Sequence, residues 1–195
     1  MVVFVDAHFL EIGNNGVGTY LREVYSRLIQ YHRDWQFVFG CSEPERVRSQ
    51  LLSGVSIQFA NVCFETYKHH TAIRYLLDIP KIIRKYSPAI AHLQYMIPLR
   101  RSSGVEYIDT IHDLLFLDFP KLFPIRYRVL RSILFRVSAR CADQVITVSR
   151  YSKEAIIRHF NVDPHKIRVI ELGVSAQQGI DLVGQSAFAE LVGKR

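Results

Sequence analysis

Short runs of β-branched and other apolar residues alternate along the chain with longer stretches of helical periodicity, and this alternation limits the fold strongly. Strands that are buried on both faces have this continuous apolar character, which is typical of a parallel sheet covered by crossover helices. Seven runs fit: Val2–Asp6, Gln36–Gly40, Val55–Phe59, Ala89–Leu93, Tyr107–Ile111, Gln144–Val148 and Ile167–Ile170. The sequence therefore predicts an α/β domain with a doubly wound, mainly parallel sheet and helices on both faces.

The stretches between these runs have apolar residues at helical spacing. One apolar stripe comprises Val17, Tyr20, Leu21, Val24, Tyr25 and Leu28. A second comprises Tyr75, Leu76, Ile79, Ile82, Ile83 and Tyr86. Pro80 should break or kink that second helix, or open a new one. The last clear helix follows Ser149, a good N-cap residue, and ends near Asn161.

A third helix, about Ile125–Cys141, bears on possible membrane contact. Its predicted buried stripe is Val129, Leu130, Ile133, Leu134 and Val137. At about 100° per residue, Arg128, Arg131 and Phe135 then fall on the outer face. An outward aromatic ring between two arginines would suit an anionic membrane surface. A solvated face, or a face covered by another domain, is the alternative.

The net charge limits the classes of binding partner but does not identify one. The 195 residues include 25 Lys and Arg against 18 Asp and Glu, a formal net charge of +7. A nucleic acid, an anionic membrane face and a phosphorylated substrate all fit this sign. We expect no nucleic-acid partner, because the sequence has neither a recognition-helix motif nor interleaved aromatic and basic residues.

Features of the sequence also indicate where the protein works. No apolar run approaches the ~20 residues that a membrane-spanning helix needs. The start Met1–Asp6 lacks a basic segment and resembles a first strand more than a signal peptide. Cys41, Cys63 and Cys141 are scattered and have no C-x-x-C spacing, which suits a reducing compartment. We expect a cytoplasmic protein, with peripheral contact at the inner face of the cell membrane as an option.

In open α/β sheets, ligands bind in the loops that follow the carboxyl ends of the strands. The first such loop holds Gly13, Asn15, Gly16 and Gly18. Glycines let a backbone approach a ligand closely, and the helix that follows offers unpaired N–H groups to a phosphate. The glycine spacing fits neither the dinucleotide fingerprint nor a P-loop. A flexible surface turn is the alternative interpretation.

Two further loops carry candidate residues. His112 and Asp113 follow the strand at Tyr107–Ile111, where a histidine can donate to a sugar hydroxyl or phosphate and an aspartate can accept from a hydroxyl. A pair that only caps the loop is the alternative. His92 is expected in the core, whereas His8 is close enough to its strand to line a cleft. After the next strand, Arg150 could meet a phosphate.

Four motifs occur in a fixed order along the chain. They are Gly-Val-Gly-Thr-Tyr at 16–20, Thr-Ile-His-Asp-Leu at 110–114 with Phe-Pro at 119–120, Ala-Asp-x-Val-Ile-Thr-Val-Ser-x-x-Ser at 142–152, and Lys-Ile-x-Val-Ile-x-Leu-Gly-Val at 166–174. Together they resemble the amino-terminal half of retaining family 4 GT-B glycosyltransferases, over about residues 1–174.

The resemblance implies one of two Rossmann-like domains that face each other across a cleft. The amino-terminal domain would hold a glycan or lipid-linked acceptor, and the carboxyl-terminal domain a nucleotide-sugar donor, with no tightly bound cofactor and no essential metal. Asn15, Gly16 and Gly18 would lie near the donor diphosphate and the acceptor. His112 would be the catalytic contact to the transferring sugar. Asp113, Gln94 and Tyr95 would contact the acceptor, and Arg150 a phosphate.

The chain departs from the family in lacking the second domain. No two glutamates lie eight positions apart, so the E-x7-E motif of that domain is absent, and residues 175–195 read as a linker or tail. We expect an excised domain, a truncated product or one half of a split enzyme, inactive alone. A non-catalytic sugar- or phosphate-binding scaffold, an epimerase or a phosphorylase on the same fold stay open, as does a homodimer.

Overall fold

The computed structural model describes residues 1–13, 15–52, 60–68 and 70–173. Its strands are β1 (Val2–Asp6), β2 (Gln36–Cys41), β3 (Val62–Thr66), β4 (Ile90–Gln94), β5 (Glu106–Thr110), β6 (Gln144–Thr147) and β7 (Ile167–Val169). They form one sheet in the order β3-β2-β1-β4-β5-β6-β7, and every neighbouring pair is parallel. The predicted fold class is therefore confirmed.

Helices cover both faces of this sheet. They are α1 (Gly16–Tyr31), α2 (Pro44–Leu52), α3 (Thr71–Ile73), α4 (Ile79–Tyr86), α5 (Leu115–Asp118), α6 (Ile125–Cys141) and α7 (Arg150–Phe160). Alternate strand residues belong to opposite cores: Val3 and Val5 pack with α1 and α2, whereas Phe4 packs with α4, α6 and α7. Because all strands run the same way, their carboxyl ends share one edge, where the loops to the helices meet.

The predicted strands that fall on described residues match the observed ones to within one residue at each end. Val55–Phe59 lies outside the described residues, as does the predicted linker at 175–195. The third strand of the sheet is Val62–Thr66, which the sequence analysis missed. This strand lies at the sheet edge and is only half-buried, with Glu65 among its residues, so it lacks the continuous apolar character of the inner strands.

Pro80 changes the helix that contains it, as predicted. Residues Arg74–Asp78 form a π-helical segment between α3 and α4, and Pro80 lies in the first turn of α4. A proline lacks the N–H that would bond to the carbonyl four residues earlier, so the backbone ahead of it departs from α geometry. The apolar stripe is buried apart from Leu76, which is 56% exposed, and the half-buried Tyr86.

The predicted orientation of α6 is wrong. Phe135 is 2% exposed, and Arg128 and Arg131 are half-buried, so the face expected to point outward packs against the sheet. The residues predicted to be buried are exposed: Val129, Leu130, Ile133, Leu134 and Val137, at 36–59%. Phe135 stacks on Tyr95, and the small Ser138 and Ala139 let the helix approach the sheet closely. These tertiary contacts outweigh the hydrophobic pattern of the helix alone.

Apolar side chains are exposed along the outer face of α6. Tyr127, Leu130 and Ile133 lie on it, and Leu122 and Ile125 continue it at the amino-terminal end. Within the described part of the chain, no helix is both long and apolar enough to span a membrane.

Candidate functional site

The loops that leave β1, β4 and β5 meet at one edge of the sheet. Tyr20, in the second turn of α1, lies edge-on to the ring of His112, with 5.0 Å between the ring centroids. Phe9, which follows β1, lies 5.9 Å from Tyr95, which follows β4. The glycine loop and the His-Asp turn are therefore neighbours on a shared rim.

Asn15 organises the glycine loop from within. Its side-chain oxygen accepts from the Gly18 N–H at 2.7 Å and caps α1, while its amide nitrogen donates to the carbonyls of Phe9 (2.8 Å), Ile12 (2.5 Å) and Gly13 (3.2 Å). The Asn15 side chain is thus occupied by the loop itself, which is a structural role the sequence analysis did not assign to it.

The two predicted ligand-loop glycines differ in their surroundings. A Cβ atom at Gly18 would lie 2.8 Å from the Phe9 carbonyl oxygen, so only glycine fits between the helix and the loop. At Gly16, an added Cβ would meet no described atom within 4 Å. Gly16 is exposed at the first position of α1, where backbone N–H groups have no partner within the helix and attract anions.

His112 is held as a neutral, buried ring. It is 8% exposed, and its Nε2 atom donates to Oε1 of Gln94 at 3.1 Å. Burial lowers the pKa of His112 to about 4, although the carboxylate of Asp113 opposes this. At neutral pH the ring is therefore uncharged and acts through hydrogen bonds.

Behind His112 lies a second buried histidine, as predicted for the core. His92 is 5% exposed and contacts Tyr25 Oη at 2.5 Å through Nδ1 and Thr110 Oγ1 at 2.7 Å through Nε2. The Gln94 amide nitrogen also donates to His92 Nε2, at 3.2 Å. Burial, with the nearby His112, lowers the pKa of His92 to about 4. Gln94 thus connects the two rings.

The acceptor-side candidates Tyr95 and Asp113 lie beside His112. Tyr95 has a positive φ of 64°, which turns the chain sharply at the end of β4 and places the ring 5.6 Å from His112. Its hydroxyl donates to Asp113 at 3.4 Å, and the other Asp113 oxygen accepts from the Leu115 N–H at 3.1 Å. Asp113 therefore also caps its loop, which was the alternative interpretation. Burial, followed by the effect of Asp113, raises the pKa of the Tyr95 phenol.

Ser149 and Arg150 begin α7 at the same edge of the sheet. The Ser149 hydroxyl accepts from the Ser152 N–H at 3.0 Å, which confirms the predicted N-cap. Ser152 Oγ donates to the His112 carbonyl at 2.9 Å and so ties α7 to the His-Asp turn. Arg150 is exposed, and it is not among the residues that line the cleft beside His112.

A cleft of about 340 Å³ opens beside this rim. Gln94 and Tyr95 line it, as does His8, which the sequence analysis considered for this place. The sequence analysis missed several other lining residues, among them Phe9, Arg74, Tyr75, Met96, Arg131 and Phe135. A strand-end signal existed for Met96, which follows β4, and for Phe9, which follows β1. Arg74 and Arg131 reach the cleft from helices, so strand-end reasoning does not find them.

Asp6 forms a buried carboxylate at the base of this region. Its oxygens accept from the Tyr67 hydroxyl, from His8 Nδ1 at 3.1 Å and from the Tyr75 hydroxyl at 3.0 Å. Burial would raise the pKa of Asp6, but His8, then Arg74, hold it well below the usual range. Asp6 is therefore a fixed negative charge whose oxygens are engaged within the fold.

Solved glycosyltransferases have a similar fold. The glycosyltransferase of Rickettsia africae ESF-5 superposes with a TM-score of 0.51 at 14% identity, covering 98% of this chain and 49% of that one. Anabaena HepE, solved with UDP-glucose, has a TM-score of 0.53 at 15% identity, with 96% and 49% covered. The lipopolysaccharide outer core galactosyltransferase WaaB, in its apo form, has a TM-score of 0.51 at 13% identity, with 91% and 47% covered. The chain spans about half the length of these solved chains.

The sequence has no significant match among curated proteins. Residues 14–178 match the model of one family, described as Glycosyltransferase Family 4. This match covers most of the chain and includes the glycine loop, the His-Asp turn and α7. The chain therefore belongs to Glycosyltransferase Family 4, and its described residues form an amino-terminal, Rossmann-like domain of the GT-B fold.

Proposed function

We propose that this domain is the acceptor-binding half of a glycosyltransferase that moves a sugar from a nucleotide-sugar donor to a glycan or lipid-linked acceptor. The observation that carries the proposal is the shared rim, where Tyr20 of α1 packs against the neutral His112 and Gln94 joins His112 to the lining of the 340 Å³ cleft. Such a rim suits a reaction in which one partner is anionic and the other is a neutral hydroxyl.

Under this proposal the donor diphosphate lies over the start of α1. The exposed Gly16 lets the diphosphate approach the unpaired N–H groups of the first turn, where positive potential stabilises the charge of the leaving group. Asn15 and Gly18 act indirectly, because they hold the loop in the shape that presents this helix start. Arg150 begins α7 on the same edge and is a candidate contact for a phosphate.

His112 contacts the transferring sugar as a hydrogen-bonding group rather than as a cation. The Gln94 side-chain oxygen accepts a hydrogen bond from the Nε2–H group of His112, so Nδ1 of the neutral ring can accept one from a sugar hydroxyl. The acceptor lies in the cleft against Tyr95 and Gln94, and Asp113 accepts a hydrogen bond from the hydroxyl of Tyr95. Transfer retains the anomeric configuration, with the nucleotide sugar as a substrate and without an essential metal.

A second domain completes the site, either within a longer chain or as a partner. The basis is that the chain spans about half the length of the solved glycosyltransferases that share its fold. One rim of an open cleft contacts only one side of a substrate, so the donor needs a facing surface. We expect no transfer by the 195 residues alone.

The exposed face of α6 is a surface for an anionic membrane. It combines Tyr127, Leu130 and Ile133 with the exposed Arg126 and Arg136, and the helix contains no acidic residue. Apolar side chains that reach the acyl boundary beside arginines at the headgroups are the features of an interfacial helix. Because Phe135 lines the cleft from the opposite side of α6, a membrane on the outer face would bring lipid-linked acceptors near the cleft.

The test is sugar transfer by the chain combined with a separately produced carboxyl-terminal domain from the same genome. We expect labelled sugar in an acceptor product only when both are present, and a fall in turnover of at least about a hundredfold for His112→Ala. His165→Ala, which changes an exposed histidine, is the matched control. Robust transfer by the chain alone would overturn the need for a second domain.

An unchanged turnover for His112→Ala, with a normal melting curve, would overturn the role of that ring. A non-catalytic sugar- or phosphate-binding scaffold is the second candidate, supported by the cleft alone. It predicts saccharide binding to the chain with no transfer in any combination of domains.

A further inference from the structure

Arg74 is a buried cation that the proposed mechanism does not use. Its side chain is 6% exposed and lines the cleft from the π-helical segment between α3 and α4. Its Nε atom is buried and has no hydrogen-bond partner among the described residues. None of the described carboxylates lies within 4 Å of its guanidinium nitrogens. A buried charge without a paired anion is unusual, because burial removes its hydration.

The surroundings of Arg74 keep its guanidinium group charged. The guanidinium lies over the rings of Tyr67 and Tyr75, 5.4 and 5.2 Å from their centroids. The nearby Asp6 offsets the charge at longer range, but its oxygens accept from Tyr67, Tyr75 and His8. A guanidinium has five donors in a planar fork that matches a carboxylate or a phosphate.

Arg131 provides a second cation in the lining of the same cleft. It is half-buried on α6, lies 4.7 Å over the ring of Tyr127 and 5.5 Å over that of Phe135, and likewise has no described carboxylate within 4 Å. The one acidic residue that lines the cleft, Glu11, already accepts from the N–H groups of Ser42 and Glu43. The cleft therefore combines two guanidinium groups, neither with a described carboxylate within 4 Å, with one lining carboxylate that backbone N–H groups already engage.

We propose that the acceptor held in this cleft carries an oxyanion, a carboxylate or a phosphate, which Arg74 binds through its guanidinium fork, with Arg131 as a second contact. This inference rests on the proposed function, in which the cleft is the acceptor site. It adds the chemical class of the acceptor: an acidic sugar or a sugar phosphate rather than a neutral glycan. The aromatic wall of Phe9, Tyr95 and Phe135 suits the sugar ring beside that charge.

The experiment compares matched ligands on the full 195-residue chain by calorimetry and by NMR shift changes. Methyl glucuronide is compared with methyl glucoside, and glucose 6-phosphate with glucose and with inorganic phosphate. We expect the anionic member of each sugar pair to bind about tenfold more tightly, and the preference to weaken as salt rises. The two pairs show whether the charge is a carboxylate or a phosphate.

Variants test whether Arg74 causes the preference for anionic sugars. Arg74→Gln should remove it and Arg74→Lys should recover only part of it, because an ammonium group lacks the planar fork. Arg33→Gln makes the same change in net charge at an exposed turn near the opposite edge of the sheet, and should leave the preference unchanged. The wild-type comparison stands even where an Arg74 variant fails to fold.

The outcomes separate this inference from the proposed function. Equal affinity for neutral and anionic sugars would overturn the inference that the acceptor carries an oxyanion. The proposal that the cleft is the acceptor site would be unaffected. Inorganic phosphate bound as tightly as glucose 6-phosphate would overturn it as well, because the sugar would then contribute nothing. Absence of binding by every saccharide would overturn the acceptor site itself.

Discussion

The Nε2 atom of His112 donates to Oε1 of Gln94 at 3.1 Å, and the amide nitrogen of the same Gln94 donates to His92 Nε2 at 3.2 Å. An amide oxygen can only accept and an amide nitrogen can only donate, so this pair of bonds places the proton of His112 on Nε2 and leaves His92 Nε2 as an acceptor. One glutamine at the end of β4 thus determines the tautomers of two buried rings.

We expect His112 and His92 to stay neutral down to acid pH. Burial lowers both pKa values to about 4, below the usual 6.5, so stability from their neutral forms is complete above pH 6.5 and is lost as the pH falls towards 4. Histidine NMR titration measures this directly. Gln94→Leu should leave His112 as a mixture of tautomers in nitrogen spectra. A protonated His112 at pH 7 would contradict the assignment.

The two glycines of the α1 loop should respond differently to the same substitution. Gly18→Ala places a Cβ 2.8 Å from the Phe9 carbonyl, and we expect it to cost about 1–3 kcal/mol of unfolding free energy. Gly16→Ala meets open space, and alanine favours the helix, so stability should change little. Chemical denaturation measures both. If Gly16 contacts the donor, Gly16→Ala should weaken transfer by the two-domain enzyme although it folds normally.

The sheet and the shared rim could be predicted from sequence because strand periodicity is local and parallel topology places strand ends together. Val2–Asp6 and Gln144–Val148 show this, with boundaries within one residue of the observed strands. The edge strand Val62–Thr66 was missed because half-buried strands need not be continuously apolar.

The cleft residues could not be predicted in the same way. Arg74 reaches the site from a π-helical segment and Arg131 from the packed face of α6, and both placements depend on contacts between distant parts of the chain. The face of α6 was assigned from its densest apolar stripe. A helix with apolar residues on two sides does not reveal from its own sequence which side meets the sheet.

Asp109 should make stability fall as the pH rises. This carboxyl of β5 is fully buried, with one oxygen accepting from Ser138 Oγ at 2.5 Å and the other lacking a described partner. Burial raises its pKa from 3.8 to about 7. The folded state therefore favours the protonated acid, and its contribution is complete below pH 4 and is lost as the pH rises to about 7, by at most about 4 kcal/mol.

Asp109→Asn keeps the shape and removes this titration. We expect the variant to be more stable than the wild type at pH 8 and to differ little near pH 4, measured by thermal melting at each pH. Asp34→Asn, at an exposed turn, is the control and should follow the wild-type curve. A constant difference between Asp109→Asn and the wild type across this range would contradict the raised pKa.

The orientation of α6 predicts that substitutions on its two faces differ strongly in their effect on stability. Phe135→Ala empties a buried position between Tyr95 and Phe116 and should cost about 3–5 kcal/mol of stability. Leu130→Gln combined with Ile133→Gln changes exposed positions without changing charge and should stay within about 0.5 kcal/mol of wild type per substitution.

Vesicle sedimentation tests whether the exposed face of α6 binds a membrane. The wild type should bind vesicles that contain phosphatidylglycerol and bind phosphatidylcholine vesicles weakly, and the double glutamine variant should lose about tenfold in affinity. Arg126→Gln should weaken binding to the anionic vesicles alone. If the face instead pairs two copies, light scattering would show a dimer that the double variant dissociates, and vesicle binding would not depend on Leu130 or Ile133. That result would contradict membrane binding by α6, whereas the proposed role of the cleft would be unaffected.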